Sequence, residues 1–127
     1  TGASLTAEEL ADVCGVTVAE IGRLEEYGLI TGRAVGGDRC YDEDALVVAR
    51  LAAAFARYGI EPRHLRTYKH AAEREAGLFS QVVLPLIRQR NPEARSRASD
   101  SLAEMSDLGA SLQAALLKAA LREITGG

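Results

Sequence analysis

The chain has no tryptophan, few aromatic residues and no long apolar run. Six of its 127 residues are Phe or Tyr, whereas 47% of the chain is hydrophobic, so we expect a core that is mostly aliphatic. No stretch approaches the roughly 20 apolar residues of a membrane-spanning helix, and no signal-peptide pattern opens the chain. We therefore expect a cytoplasmic protein without a membrane partner. Residues 1–3 and 126–127 are expected to be flexible ends, and the lack of an initiator methionine predicts a fragment.

Cysteine and positive charge are also scarce. Cys14 and Cys40 are too few for a disulfide framework and lack the Cys-x-x-Cys spacing of metal sensors, so no metal is expected. The 15 basic residues are outnumbered by 18 acids, for a net charge of −3, which argues against a surface that clamps nucleic acid as a whole. No glycine-rich phosphate loop follows a strand, and no Ser, His and acid arrangement indicates a nucleophile. These absences predict a protein that is not an enzyme and has no cofactor.

Two short capped helices open the chain. Two Thr-x-x-Glu pairs have the spacing of a capping box, Thr6 with Glu9 and Thr17 with Glu20. In such a box the hydroxyl and the carboxylate each bind an amide that the helix start leaves unpaired. The boxes predict helices over about 7–14 and 18–26, joined by a tight turn at Gly15. Two short helices joined in this way are typical of a helix-turn-helix.

A small β-hairpin and further helices are predicted after the helix-turn-helix. Leu29–Ile30 begins an extended segment, Gly36–Gly37 supplies a turn, and Arg39–Tyr41 returns as the second strand, or wing. Further helices are predicted over 43–57, 62–76, 78–90 and 92–124. Gly77 is expected to break the chain between two of these helices, and Pro85 threatens a kink in the next.

The last predicted helix has a coiled-coil pattern. Small or apolar residues recur at alternating spacings of four and three, at Ala98, Leu102, Met105, Gly109, Leu112, Leu116 and Ala119. A second apolar stripe widens this face, at Leu108, Leu117, Leu121 and Ile124. One helix cannot bury both stripes against a small winged domain, so a partner is needed. We expect a homodimer whose interface contains Leu102, Met105, Gly109, Leu112, Leu116 and Ala119; the alternative is a helix that folds back on its own domain.

Residues 5–69 resemble the winged helix-turn-helix of MerR-type transcription regulators. The resemblance lies in the order and spacing of Leu10–Ala11, Gly15–Val18, Glu25, Gly28–Ile30, Gly37, Arg39, Tyr41, Asp44, Leu51 and Tyr58–Ile60. It implies a mainly α fold in which a degenerate MerR-like winged helix-turn-helix unit, residues 5–76, precedes a helical extension, residues 77–124. A long C-terminal dimerisation helix is also a trait of that family. The implied partners are promoter DNA and RNA polymerase.

The residues with which MerR-type readers grip DNA are largely replaced here. Ala19 stands where they carry Arg, Gly22–Leu24 where they carry Arg-Tyr-Tyr, and Gly37–Arg39 where they carry Gly-Tyr-Arg. From Leu5 to Ile30 six acids accompany one base, a local charge of −5. Acids near phosphates oppose binding that depends on neutralisation by Lys and Arg. The helix-turn-helix is therefore expected to serve as a packing scaffold more than as a DNA reader.

A closer resemblance is to the C-terminal half of FtsR-type regulators. It is carried by Leu24–Leu29, Tyr58–Arg66 and Arg88–Arg95. In those proteins an orthodox N-terminal MerR domain binds DNA, and the C-terminal half dimerises or senses a signal. The resemblance implies that this chain is the dimerisation and regulatory part of such a regulator, with the DNA-reading domain outside the chain. The alternative is a standalone adaptor that binds another protein through a winged scaffold.

Two sets of candidate site residues follow. The weak candidates for DNA contact are Arg23, Arg33, Arg39 and Tyr41. The candidates for an anion or effector site are Arg88, Arg90, Arg95 and Arg97. This basic run could instead be a solvated or dimer-contact face, or could hold nucleic acid backbone or an acidic partner. A small-molecule effector, if there is one, is expected between the winged unit and the helices after Gly77.

Overall fold

The structure is a computed structural model that describes residues 4–126, so the ends expected to be flexible at 1–3 and 127 lie outside the described residues. Gly126, at the other predicted end, is the left-handed C-cap of the last helix. The elements of the described chain are, in order, β1 (Leu5–Thr6), α1 (Ala7–Cys14), α2 (Val18–Glu26), β2 (Arg33–Val35), β3 (Asp38–Tyr41), α3 (Glu43–Ala56), α4 (Pro62–Ile87) and α5 (Pro92–Thr125). The predicted fold class, mainly α with a winged helix-turn-helix followed by helices, is confirmed.

Both predicted capping boxes form. The Thr6 hydroxyl accepts the Glu9 amide at 3.1 Å, and the Glu9 carboxylate accepts the Thr6 amide at 2.8 Å. Thr17 and Glu20 repeat the arrangement at the start of α2. Gly15 ends α1 at φ +70°, a left-handed conformation that glycine adopts without a steric penalty. These local bonds set the limits of α1 and α2 as predicted.

The wing is the outer hairpin of a three-stranded antiparallel sheet. The strand order is β1-β3-β2, with Leu5 opposite Tyr41 and Ala34 opposite Arg39. Both residues of the turn Gly36–Gly37 have positive φ, as the tightest hairpin turns require. The predicted segment from Leu29 does not enter the sheet, because the strand begins only at Arg33.

The core of the winged unit lies between α1, α2, α3 and the sheet. Its largest fully buried side chains are Leu10 and Ile21. Around them pack Ala11, Leu24, Ile30, Tyr41, Ala45, Ala49, Ala52 and Leu65. Small residues on the buried face of α3 let that helix approach α1 closely. As expected, the core is mostly aliphatic.

One predicted helix break is wrong. Gly77 lies inside α4, which runs without interruption from Pro62 to Ile87. A single glycine costs a helix interior only about 1 kcal/mol relative to alanine, which is too little to divide a helix of this length. The helix ends after Ile87, so that Arg88–Arg90 lie in a turn and not in the predicted helix. Pro85, two residues from that end, is accommodated inside α4.

The chain forms two compact units, and the boundary between them in the sequence falls within α4. The first, the winged unit, ends at Ala71, and the second, the helical unit, begins at Ala72. In the helical unit a four-residue turn joins α4 to α5, and Val83, Ala94 and Ala98 are buried on either side of that turn. The domain limits given by the sequence, 5–76 and 77–124, stay a prediction.

In the described part of the chain, no helix combines the length and apolar character that crossing a membrane requires.

Candidate functional site

The carboxylate of Glu25 ties the wing to the second helix of the helix-turn-helix. Arg39 Nε donates to Glu25 Oε1 at 3.2 Å, and Arg39 Nη2 also contacts Oε2. The Tyr41 hydroxyl donates to Oε1 at 2.6 Å, and the Gly32 amide donates to Oε2 at 3.2 Å. We call this group of four residues the Glu25 brace. The Glu25 side chain, at the end of α2, thereby binds β3 through Arg39 and Tyr41 and binds the backbone just before β2 through Gly32.

The backbone before the wing is shaped to fit this brace. Gly28 has φ +75° and reverses the chain after α2, which brings Gly32 back towards Glu25. A Cβ added to Gly32 would lie 2.7 Å from Tyr41 Cε1 and 2.9 Å from Arg39 Nε. Such distances are shorter than van der Waals contact, so only glycine fits at this position. Gly32 was not singled out by the sequence pattern.

The brace perturbs the acidity of its members. The hydrogen bond from Arg39 lowers the pKa of Glu25 to about 2, and Tyr41 and the Gly32 amide act in the same direction against the cost of burial. Burial raises the pKa of Tyr41, and the neighbouring Glu25 carboxylate raises it further. Glu25 is therefore ionised, and Tyr41 neutral, over the whole physiological range.

Three of the four predicted DNA-contact residues bind carboxylates of their own unit. Arg39 and Tyr41 bind Glu25, and Arg23 lies 3.5 Å from Glu61 in an exposed ion pair. The pKa of Glu61 is lowered by Arg63 and, more weakly, by Arg23. Arg33 lies exposed on β2. The structure brings Arg39 and Tyr41 together, but as ligands of Glu25.

Two partners of these residues could not be recognised from sequence. In the sequence, Glu25 is one of six negative charges and part of the motif Leu24–Leu29, and Glu61 is part of the motif Tyr58–Arg66, but neither pattern indicates a bond to the wing or to Arg23. Glu25 is 14 residues before Arg39 and 16 before Tyr41, so no local spacing rule connects them. The one available signal is the residue chemistry. Three glutamates lie in α2, and the wing that follows carries Arg39 and Tyr41 two residues apart, where both can bind a carboxylate.

The residues predicted for a dimer interface differ in exposure along α5. Met105 is half-buried, and a Cβ on Gly109 would lie 2.5 Å from Glu75 Oε1 and 3.5 Å from Phe79 Cζ of α4, so Gly109 faces α4 of its own chain. Ala98, which belongs to the same apolar pattern, is buried. Further along α5 the side chains are exposed, with 62% of Leu112 and 58% of Leu116 accessible. Also exposed are Leu102, Ala119 and the second stripe, Leu108, Leu117, Leu121 and Ile124.

The predicted anion residues surround the turn between α4 and α5. Arg88, Arg90, Arg95 and Arg97 are all exposed. Arg97 donates to the Gln89 side chain at 3.5 Å, across the turn. Among residues 4–126, none of these four guanidinium groups is within 4.0 Å of a carboxylate.

The cysteines and acids form no metal centre in the part of the chain that the structure describes. Cys40 is buried and Cys14 half-buried, both as free thiols. Burial raises the pKa of Cys14, an effect that Arg50 partly opposes, so this thiol is a poor nucleophile. No three His, Cys, Asp or Glu side chains of residues 4–126 come together as metal ligands.

Comparison with known proteins finds two curated relatives that are named as transcription regulators. Two curated relatives are each 36% identical over 124 residues: "Uncharacterized HTH-type transcriptional regulator Mb1859" of Mycobacterium bovis and "Uncharacterized HTH-type transcriptional regulator Rv1828" of Mycobacterium tuberculosis. The alignment covers 98% of this chain and 49% of each relative, so the chain spans about half the length of the curated relatives it matches. The family model described as "Rv1828-like, C-terminal domain" matches residues 3–125. The chain, a winged unit followed by a helical unit, belongs to the Rv1828-like C-terminal domain family.

Proposed function

We propose that this chain is the dimerisation and regulatory part of a MerR-type transcription regulator that acts in the cytoplasm. Its winged helix-turn-helix serves as a scaffold, and sequence-selective DNA reading belongs to another part of the protein. The Glu25 brace is the observation that carries this proposal. The wing residues best suited to hold phosphates, Arg39 and Tyr41, are already bound to a carboxylate of the same unit.

The electrostatics of the helix-turn-helix support the same conclusion. For Arg39 to bind a phosphate, it would have to leave Glu25 or bring that carboxylate close to the phosphate. Either change costs free energy, because a charge-assisted pair is broken or two negative charges approach. On α2 the exposed charged side chains are Glu20, Arg23 and Glu26. A recognition helix in the major groove lies between two phosphate backbones, where this charge balance is unfavourable.

Dimerisation is the part of the proposal that rests on α5. A helix that presents Leu112, Leu116 and further leucines to water needs a facing surface, and a second copy of the same helix supplies one by two-fold symmetry. The homodimer remains a prediction from the apolar pattern of α5, and a small-molecule effector and a contact with RNA polymerase remain predictions from the resemblance to MerR-type regulators.

DNA titration of this chain tests the proposal. At moderate salt, we expect only weak binding to labelled duplex, with a dissociation constant above about 1 µM and no preference for sequence, as for non-specific complexes. The Glu25→Gln variant, which releases Arg39 and Tyr41 and removes one negative charge, should bind the same duplex more tightly. The Glu26→Gln variant removes an exposed charge next to it without touching the brace and serves as the control. Sub-micromolar, sequence-selective binding by the unaltered chain would contradict the proposal.

A standalone protein-interaction adaptor is the second candidate. One observation favours it: α3 exposes apolar side chains along one face, with Val47 and Leu51 more than half accessible and Tyr58 beyond them at 83%. Such a face is typical of a docking surface for another protein. The two candidates differ in what the same open reading frame encodes upstream, since the regulator requires a second, arginine-rich helix-turn-helix and the adaptor does not.

A further inference from the structure

The turn between α4 and α5 concentrates unpaired positive charge in a chain that is otherwise acidic. Residues 88–97 hold four arginines and one acid, a local charge of +3, whereas the whole chain carries −3. The remaining residues therefore carry −6. None of the four arginines in residues 88–97 is ion-paired within the described chain, whereas three of the seven arginines of the winged unit are, at positions 23, 39 and 63. The positive charge of this turn is therefore available to a partner outside the chain.

The turn presents these arginines from a fixed frame. Asn91 caps α5 by accepting the Ala94 amide at 2.8 Å, and Ala94 is fully buried directly behind it. Arg97 reaches back across the turn to Gln89. The Asn91 cap and the Arg97–Gln89 contact hold the turn in one conformation, which lowers the conformational entropy lost on binding.

Arg90 stands in a backbone conformation that arginine rarely adopts. Its φ is +53°, and no other residue except glycine has a positive φ in residues 4–126. The left-handed region costs a residue with a Cβ about 1–2 kcal/mol, which is why glycine is usual after the end of a helix. An arginine at this place contributes a charge at the tip of the turn that glycine would not. The conformation and the charge cluster are independent observations that point to the same surface.

We propose that residues 88–97 form a contact surface for the phosphate backbone of double-stranded DNA, which we call the arginine turn. Four exposed guanidinium groups match phosphates, to which arginine donates paired hydrogen bonds. The exposed uncharged side chains beside them, Gln89 and Ser96, are of the type that also donates to phosphate oxygens. Pro92 is the one exposed apolar residue of this segment, so the apolar or aromatic anchors that centre a protein interface are missing.

This surface adds affinity without sequence selectivity. Each phosphate neutralised by a cation releases condensed counterions, so that binding weakens as salt is raised, with a slope of log K against log salt of about −0.9 for each contact. The inference rests on the proposed function in one respect: sequence reading lies elsewhere, and the arginine turn accounts for the weak duplex binding expected of this chain.

The test compares two variants with the same loss of charge. In the first, Arg88, Arg90, Arg95 and Arg97 are each changed to Gln. In the control, four exposed arginines outside the turn, Arg50, Arg57, Arg74 and Arg122, are each changed to Gln. Duplex binding is measured from 50 to 200 mM salt by fluorescence anisotropy. We expect the first variant to lose at least tenfold in affinity at 50 mM salt and to reduce the salt slope by about 2–4, the value for two to four phosphate contacts; the control should change affinity less than threefold.

Several outcomes would overturn the assignment. Equal losses in both variants would mean that net charge alone governs binding, and no duplex binding by the unaltered chain at 50 mM salt would remove the contact altogether. Thermal stabilisation by inorganic pyrophosphate that depends on the four arginines, without duplex binding, would assign the turn to a small anion. Poly-glutamate binding that depends on them, without duplex binding, would assign it to an acidic protein. These outcomes differ from failure of the proposed function, which would be tight, sequence-selective binding that persists when the turn is neutralised.

Discussion

The two units of the chain use the same residue types in opposite ways. The winged unit buries Leu10 and Ile21 completely, and its Arg39 binds the carboxylate of Glu25 in the same unit. The helical unit buries little beyond Val83, Ala94 and Ala98 and leaves its arginines and most leucines of α5 in solvent. The winged unit therefore has a core of its own, although α3 still exposes Val47 and Leu51. The helical unit leaves most of its apolar and charged groups in solvent, and we expect partners to cover them.

The difference also indicates which unit can fold alone. Three helices and a sheet share one core in the winged unit. Two helices joined by a short turn share only a few small buried side chains in the helical unit, and long isolated helices depend on tertiary packing for most of their stability. Association through α5 would supply that packing. Substitution of the exposed leucines of α5 is therefore the strongest test of this difference between the two units.

Charging the exposed part of α5 should have the largest effect. We expect the unaltered chain to be a dimer at tens of micromolar, and the double variant Leu112→Glu with Leu116→Glu to be a monomer. Each buried leucine contributes about 1.5–3 kcal/mol, and the substitutions act in both protomers. The dissociation constant should therefore rise at least about 1,000-fold, which corresponds to roughly 4 kcal/mol. Light scattering coupled to gel filtration gives the mass of each species.

A matched variant shows which stripe of α5 forms the interface. Leu117→Glu with Leu121→Glu introduces the same two charges at the same spacing, on the second stripe. This variant should remain a dimer at concentrations where the first is monomeric, and both should keep the circular dichroism of the unaltered winged unit. A monomeric unaltered chain would refute the dimer, and dissociation by the second variant alone would move the interface to the other stripe.

Removing the Glu25 charge should have an intermediate effect, confined to the winged unit. Because the pKa of Glu25 is about 2 in the folded chain and near 4.5 when unfolded, its contribution to stability is present above pH 4.5 and is lost as the pH falls towards 2. We expect Glu25→Gln to lower the free energy of unfolding by about 1–2 kcal/mol at pH 7, a value reduced by the partial exposure of Arg39. The difference between the two proteins should shrink steadily below pH 4.5.

Urea titrations at a series of pH values measure this dependence. Glu26→Gln is the control, since Glu26 is the exposed neighbour in sequence and forms none of the bonds of the brace. Its stability should follow that of the unaltered chain at every pH. A difference between Glu25→Gln and the unaltered chain that stays constant down to pH 2 would mean that the carboxylate charge does not hold the wing.

The contrast between the units also explains what could be predicted from the sequence. The capping boxes, the left-handed Gly15 and the Gly36–Gly37 turn are encoded within a few residues, so the limits of α1 and α2 and the turn of the wing can be predicted, whereas the first strand of the wing begins at Arg33 and not at Leu29. The Glu25 brace joins residues 14 and 16 apart and needs the fold before it can be seen. The apolar pattern of α5 was visible, but periodicity cannot distinguish the half that packs in its own chain from the half that stays exposed.

The smallest expected effect concerns the glycines of the helical unit. The break predicted at Gly77 was wrong because the local cost of a glycine is small beside the stability of a continuous helix. A Cβ at Gly77 would meet nothing within 4 Å, so Gly77→Ala should stabilise the chain by about 0.5–1 kcal/mol and raise the melting temperature by a few degrees.

Gly109→Ala has the same gain in helix propensity but must displace the Glu75 carboxylate, which would lie 2.5 Å from the new methyl group. That carboxylate can rotate away, so we expect Gly109→Ala to be closer to neutral, and thermal unfolding followed at 222 nm compares the two. Destabilisation by Gly77→Ala would show that α4 needs glycine there for a bend, and a gain at Gly109 equal to that at Gly77 would show that α4 and α5 do not approach closely at that point.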